Sequence, residues 1–181
     1  MRRIFVLIAS VATLIGLWII PGPAAATPSY CGLVWGSLDK TSPAMTAAPI
    51  TGIRSGQHEC FDRLVVDVAG SGAGYRVGYV DAMTLDGSGK LVPLRGGAVL
   101  NVVILAPAHN DAGQETFRPG NRNELVDVAG YQTFRQVAWG GTFEGQTTVG
   151  LGVRARLPMR VFTLDGPGGG SRVVVDVAHF W

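Results

Sequence analysis

Lysine is almost missing from this sequence, there are only two cysteines and three histidines, and no long run of like charge occurs anywhere. Each shortage excludes something. With Arg2 and Arg3 set aside as part of an export segment, 13 basic side chains stand against 13 acidic ones, so no net field remains to attract nucleic acid or anionic lipid. Lys40 and Lys90 are the only lysines, a skew toward arginine that follows coding bias and meets no physical demand. Cys31 and Cys60 alone cannot build a metal site of recognised spacing, and nothing nearby would activate a catalytic thiol. In an exported chain such a pair forms one disulfide. It would close a loop of about 30 residues, contribute roughly 3 to 4 kcal/mol in the chain-entropy model, and pin the segment around Trp35 to the strand that follows Cys60.

Catalytic and cofactor motifs are missing too. His58-Glu59 would need a second histidine where Asp62 stands, on a helix that the flanking pattern does not support. Gly70 to Gly74 looks superficially like a dinucleotide loop, but the residues after it alternate with period two, so no helix N-terminus is there to hold a phosphate. Gly89-Lys90 is followed by Leu91 where a magnesium-binding hydroxyl belongs, and no serine lies in a G-x-S-x-G elbow. His109, Asn110, Asp111 and Glu115 follow no calcium-loop order. His179 with Phe180 and Trp181 reads as a terminal packing cluster. The chain is therefore read as a non-enzyme with no cofactor, no metal and no nucleic-acid partner.

What is present begins with Met1, Arg2 and Arg3, an apolar run from Ile4 to Ile20, then Pro21-Gly22-Pro23 and three alanines. This is the layout of a secretory signal peptide. The Pro-Gly-Pro break before an A-x-A site favours cleavage after Ala26 over a retained anchor, which leaves 155 residues, enough for a single domain with its own core. The expectation is a soluble, secreted or extracytoplasmic protein with no membrane span after cleavage. Residues 27–48 are polar and read as an irregular lead-in, and 49–181 as the domain.

That domain is organised by a repeated stretch. RVVVDVAHFW, from Arg172 to Trp181, repeats RLVVDVAG, from Arg63 to Gly70, and LVDVAG, from Leu125 to Gly130, is a weaker third echo. In the first copy Leu64, Val66 and Val68 share one face of an extended strand and Arg63, Val65 and Asp67 the other. The last copy alternates likewise, with Val173, Val175 and Val177 against Arg172, Val174 and Asp176. Further strands are predicted over Pro49 to Ile53, from Tyr75, over Leu91 to Leu94, Val99 to Ala106, Phe134 to Trp139, Thr147 to Arg154 and Met159 to Leu164. The aperiodic stretch from Pro107 to Asn123 is long for a plain connection. About nine short strands spaced by Gly and Pro turns, with no helix, predict an all-β antiparallel sandwich or a closed barrel.

Two blocks carry a family resemblance. Gly56 to Val68, GQHECFDRLVVDV, followed by Gly74 to Val80, GYRVGYV, resembles the opening of the AMIN-like domain of exported bacterial envelope proteins. FEG at Phe143 to Gly145, VGLG at Val149 to Gly152, PMRVFTL at Pro158 to Leu164 and RVVVDV at Arg172 to Val177 resemble its close. Cys60 departs from the pattern, where glycine is commoner, and Arg118 to Tyr131 looks like an insertion. The resemblance implies a β-sandwich of two related small sheets, with one repeat strand in each half, acting as a non-catalytic binding module; it supplies no ligand, and the expectation for this chain is peptidoglycan or an envelope protein partner.

On the residues alone, Arg63, Asp67, Arg172 and Asp176 form polar rows that either bind a ligand or serve as a salt-bridge ladder within the sheet. Trp35, Tyr75, Tyr79 and Trp139 are the candidate stacking aromatics. A second function class stays open: a β-barrel carrier of a small apolar ligand or lipid, which needs an internal cavity of roughly 300 Å³ or more. In a sandwich that space is filled by Leu64, Val66, Val68, Val173, Val175 and Val177.

Overall fold

The computed structural model describes residues 29–181, so the export segment read at residues 1–26 lies outside the described residues. Eleven strands follow in chain order: β1 Lys40–Ser42, β2 Ile50–Gln57, β3 Phe61–Val68, β4 Tyr75–Val80, β5 Met83–Thr84, β6 Leu91–Val92, β7 Ala98–Ile104, β8 Phe134–Phe143, β9 Gln146–Val153, β10 Met159–Asp165 and β11 Ser171–Ala178. The helical content is limited to short 3-10 turns at Tyr30–Gly32 and Pro167–Gly169.

The strands form a four-stranded sheet, in the order β10-β11-β3-β2, and a five-stranded sheet, in the order β1-β4-β7-β9-β8, with all pairings antiparallel. The period-two pattern explains why they pack face to face. Leu64, Val66, Val68, Val173, Val175 and Val177 of the first sheet are buried in one cluster with Leu100, Val102, Val149 and Leu151 of the second. Neither sheet closes on itself, so the fold is the sandwich and not the barrel, and the six residues expected to fill a sandwich interior do so. The carrier alternative thereby loses the closed wall it required.

The two repeat strands, β3 and β11, are neighbours at the centre of the same sheet, paired antiparallel from Ser171↔Val68 to Ala178↔Phe61. Two related small sheets are what the resemblance implies, yet both copies lie in one of them. Alternation fixes which face a residue takes, whereas the pairing partner is chosen by packing across the fold. The third echo forms no strand. Asp127 caps the Ala129 N–H at 2.9 Å and Gly130 takes φ 77°, turning the chain there.

The lead-in is more regular than its composition implies, since β1 pairs with β4 and Gly36 forms an isolated bridge to Met159. Gly74 permits this close approach: a Cβ there would strike the Ser42 and Ala44 carbonyls. On the outer face of the larger sheet, the β5–β6 hairpin lies flat because Gly150 is bare; a side chain there would collide with Met83. The stretch after Pro107 is tied down. Thr116 Oγ1 donates to the Ile50 carbonyl at 2.8 Å, and Asn110 Oδ1 accepts the N–H groups of Ala112 and Gln114. The segment read as an insertion lines the β8 edge, where Trp139 N–H donates to the Arg122 carbonyl at 2.7 Å and Leu125 N–H to Val137 at 2.8 Å.

Candidate binding face

The outer face of the four-stranded sheet carries the polar residues of both repeats. Strand register arranges them in cross-strand rows: Arg160–Asp176–Arg63–Gly56, then Phe162–Val174–Val65–Arg54, then Leu164–Arg172–Asp67–Gly52. The antiparallel pairing therefore sets each Arg opposite the other copy's Asp, and the two polar rows share one sheet.

In the Asp176 row every oxygen is engaged. Arg63 donates from Nε at 2.6 Å and from Nη2 at 2.9 Å, and Arg160 donates from Nε at 2.7 Å, to a carboxylate that is 0% exposed. This fork is a strong charge-assisted pairing. The hydrogen bond to Asp176 raises the Arg63 guanidinium above its ordinary value, outweighing the lowering by burial. Both arginines also lie against rings: Arg63 is 5.1 Å from the Phe61 centroid and 5.7 Å from Phe162, while Arg160 is 5.1 Å from each and 5.4 Å from Trp35.

Trp35 reaches this row through two local ties. The Cys31–Cys60 disulfide, with Cα atoms 6.4 Å apart, joins the lead-in to the residue before β3, as expected from the cysteine pair. The Gly36–Met159 hydrogen bonds at 2.8 and 3.2 Å lay the same segment along β10. Trp35 Nε1 donates to the Tyr30 carbonyl at 2.8 Å, and its ring packs 5.8 Å from Phe61.

The Asp67 row is different. Asp67 faces Arg172 in register but turns to Arg54, which forks it from Nε at 2.9 Å and Nη2 at 3.1 Å. Arg54 gets there by crossing bare Gly52, where an added Cβ would sit 3.4 Å from Asp67 Oδ2. Arg172 donates from Nη2 to the Asp165 carbonyl at 2.8 Å. Its Nε is buried with no partner among the described residues. The row opens on a groove of about 740 Å³ whose lining includes Gly52, Arg54, Asp67, Pro167 and Arg172.

The other candidate aromatics sit elsewhere. Tyr75 and Trp139 are in the core, 9% and 5% exposed, and offer no ring face to solvent for stacking. Tyr75 donates to the Val161 carbonyl at 2.9 Å, and burial raises its phenol above the ordinary value. Tyr79 donates to the Leu157 carbonyl at 2.6 Å and is raised by the same cause. The Trp139 ring lies 5.4 Å from that of Phe117, tilted by 43°.

Sequence reasoning missed Arg54 and Arg160. Arg54 was lost because the strand was read as ending at Ile53 when it runs to Gln57. Arg160 could have been found, since it alternates with Val161 and pairs with Phe162 on one face of β10.

Asp62 and His179, the latter read as part of a terminal packing cluster, are buried and bonded to each other at 3.1 Å, and Asp62 Oδ2 also accepts the N–H groups of Thr133 and Phe134 at 2.6 and 2.9 Å. This network ties β3 to the entrance of β8. His58 stacks on Phe61 at 4.5 Å, apart from that pair. Among the described residues no group of three or more His, Cys, Asp or Glu side chains converges as a metal site would require.

The described residues form an open antiparallel sandwich whose four-stranded sheet sets four arginines and two aspartates on its outer face. The AMIN-like domain model matches residues 48–179, and the chain belongs to that family. The family is associated with the bacterial envelope and its domains are generally non-catalytic binding modules. No curated protein and no solved structure matches the chain. No helix among the described residues is long and apolar enough to cross a membrane.

Proposed function

We propose that this chain is an exported, non-catalytic module that binds peptidoglycan through the outer face of its four-stranded sheet. The observation that carries the reading is the concentration of charge there: Arg54, Arg63, Arg160 and Arg172 stand against only Asp67 and Asp176. Residues 27–181, with 13 basic and 13 acidic side chains, thus present a locally cationic surface, which suits an anionic polymer. Trp35 and Phe162, both half-buried, flank the rows with apolar ring surface that can pack on sugar rings.

The test is retention of the purified protein on insoluble peptidoglycan at physiological salt, beside a control protein of matched size and charge. Retention above the control is expected, and Arg54→Gln with Arg172→Gln should abolish it; because Arg54 pairs with Asp67 and Arg172 bonds the Asp165 carbonyl, the unfolding midpoint is measured alongside and must stay well above the assay temperature. Wild-type retention no greater than the control would overturn the wall reading in favour of an envelope protein partner.

A further inference from the structure

The Asp67 row holds an unfinished hydrogen-bonding arrangement. An arginine is always charged and presents donors only, and leaving one of them buried without an acceptor is unfavourable enough that native structures rarely do so. Arg172 Nε is such a donor, with no acceptor among the described residues. The aligned carboxylate, Asp67, is turned away and fully engaged by Arg54. Arg54 keeps Nη1 outside that fork, and its side chain is 54% exposed, free to shift over the groove.

We infer that this groove binds a carboxylate-bearing ligand, whose oxygens accept from Arg54 and from Arg172 once its side chain, which lines the groove, turns to bring the unpartnered Nε to the ligand; the inference rests on the envelope-binding reading and names the group that is recognised. Three observations point to a carboxylate. Arg54 already forks one, so the local spacing accommodates a planar two-oxygen acceptor. The two arginines and one aspartate of the site leave a single positive charge, which matches a monoanion, whereas Asp67 repels a dianionic phosphate more strongly. The groove, at about 740 Å³, has room for several residues of a small peptide beyond its carboxylate. Peptide stems of the cell wall carry such groups, and so does any free peptide C-terminus.

The experiment measures the affinity of the purified chain for acetyl-alanyl-alanine and for its C-terminal amide, with peptidoglycan retention measured in parallel. The acid should bind roughly tenfold or more tightly than the amide, the loss expected for a missing charged hydrogen bond. Arg172→Lys keeps the charge but removes Nε, and should weaken the acid roughly tenfold while leaving the amide alone. Asp67→Asn should tighten the acid by removing a repelling neighbour, a change that a merely structural role for Asp67 would not produce. Equal binding of acid and amide, including binding of neither, would overturn the inference, as would an unaffected Arg172→Lys. If Arg172→Lys lowers the unfolding midpoint, Arg54→Gln replaces it under the same criterion. Acid-selective binding without retention on peptidoglycan would keep the inference and remove the wall as its source. Retention without acid selectivity would do the reverse.

Discussion

The two polar rows are made from the same repeated sequence, yet one is closed and the other open. Around Asp176, two arginines from β3 and β10 saturate a carboxylate that is 0% exposed. Around Asp67, one arginine from an edge strand holds a carboxylate that is 27% exposed, and the facing Arg172 keeps its Nε without an acceptor among the described residues. The difference lies in what flanks each row. Beside Asp176, β10 supplies Arg160 and the disulfide-tied lead-in supplies Trp35, so charge and ring surface close over the carboxylate. Beside Asp67, the flanking positions are Leu164 and Gly52, which offer no competing donor and no cover. A repeated motif thus becomes a structural clamp at one end of the sheet and a receptive surface at the other. Reversing charge at Asp67 and Asp176 together would therefore mix a core lesion with a surface one.

Single substitutions separate the two. Asp176→Ala leaves two half-buried guanidinium groups without their counter-ion, and a loss of about 3 to 5 kcal/mol is expected in urea unfolding. A loss below roughly 1 kcal/mol would show the Asp176 row to be as solvated as its counterpart. The disulfide comes next. Replacing Cys31 and Cys60 together by serine should remove about 3 kcal/mol in the chain-entropy model, and should shift Trp35 fluorescence toward that of an exposed indole because the lead-in lifts from the Asp176 row. Unchanged emission would mean that the Gly36–Met159 bridge holds Trp35 without the crosslink. The smallest effect belongs to Asp67→Ala, expected to cost less than about 1 kcal/mol, since its pair with Arg54 is largely exposed. A stability loss as large as that of Asp176→Ala would erase the distinction between the rows.

Much of this was legible in the residues. Alternation over Leu64–Val68 and Val173–Val177 gave the buried faces, the glycine and proline turns gave the strand count to within a few, and the cysteine pair gave its own crosslink. The legible part stops where a partner lies far along the chain. Arg63 and Asp176 are 113 residues apart, and Arg54 and Asp67, though only 13 apart, meet by a diagonal reach over Gly52 that no local pattern announces. Tyr75 and Trp139 could have faced either way, because alternating strands in a sandwich have one wet face and one dry, and the residues do not say which is which.

The amino-acid order alone determined that β3 and β11 would each have an apolar face and an Arg-and-Asp face, because period-two geometry is a property of one extended strand. Only the tertiary structure decided that these strands would be antiparallel neighbours, that Asp176 would be buried between two arginines, and that Arg172 would be left with a donor to spare. Those outcomes depend on register and on which strand lies alongside, and register is set by the packing of the whole sandwich.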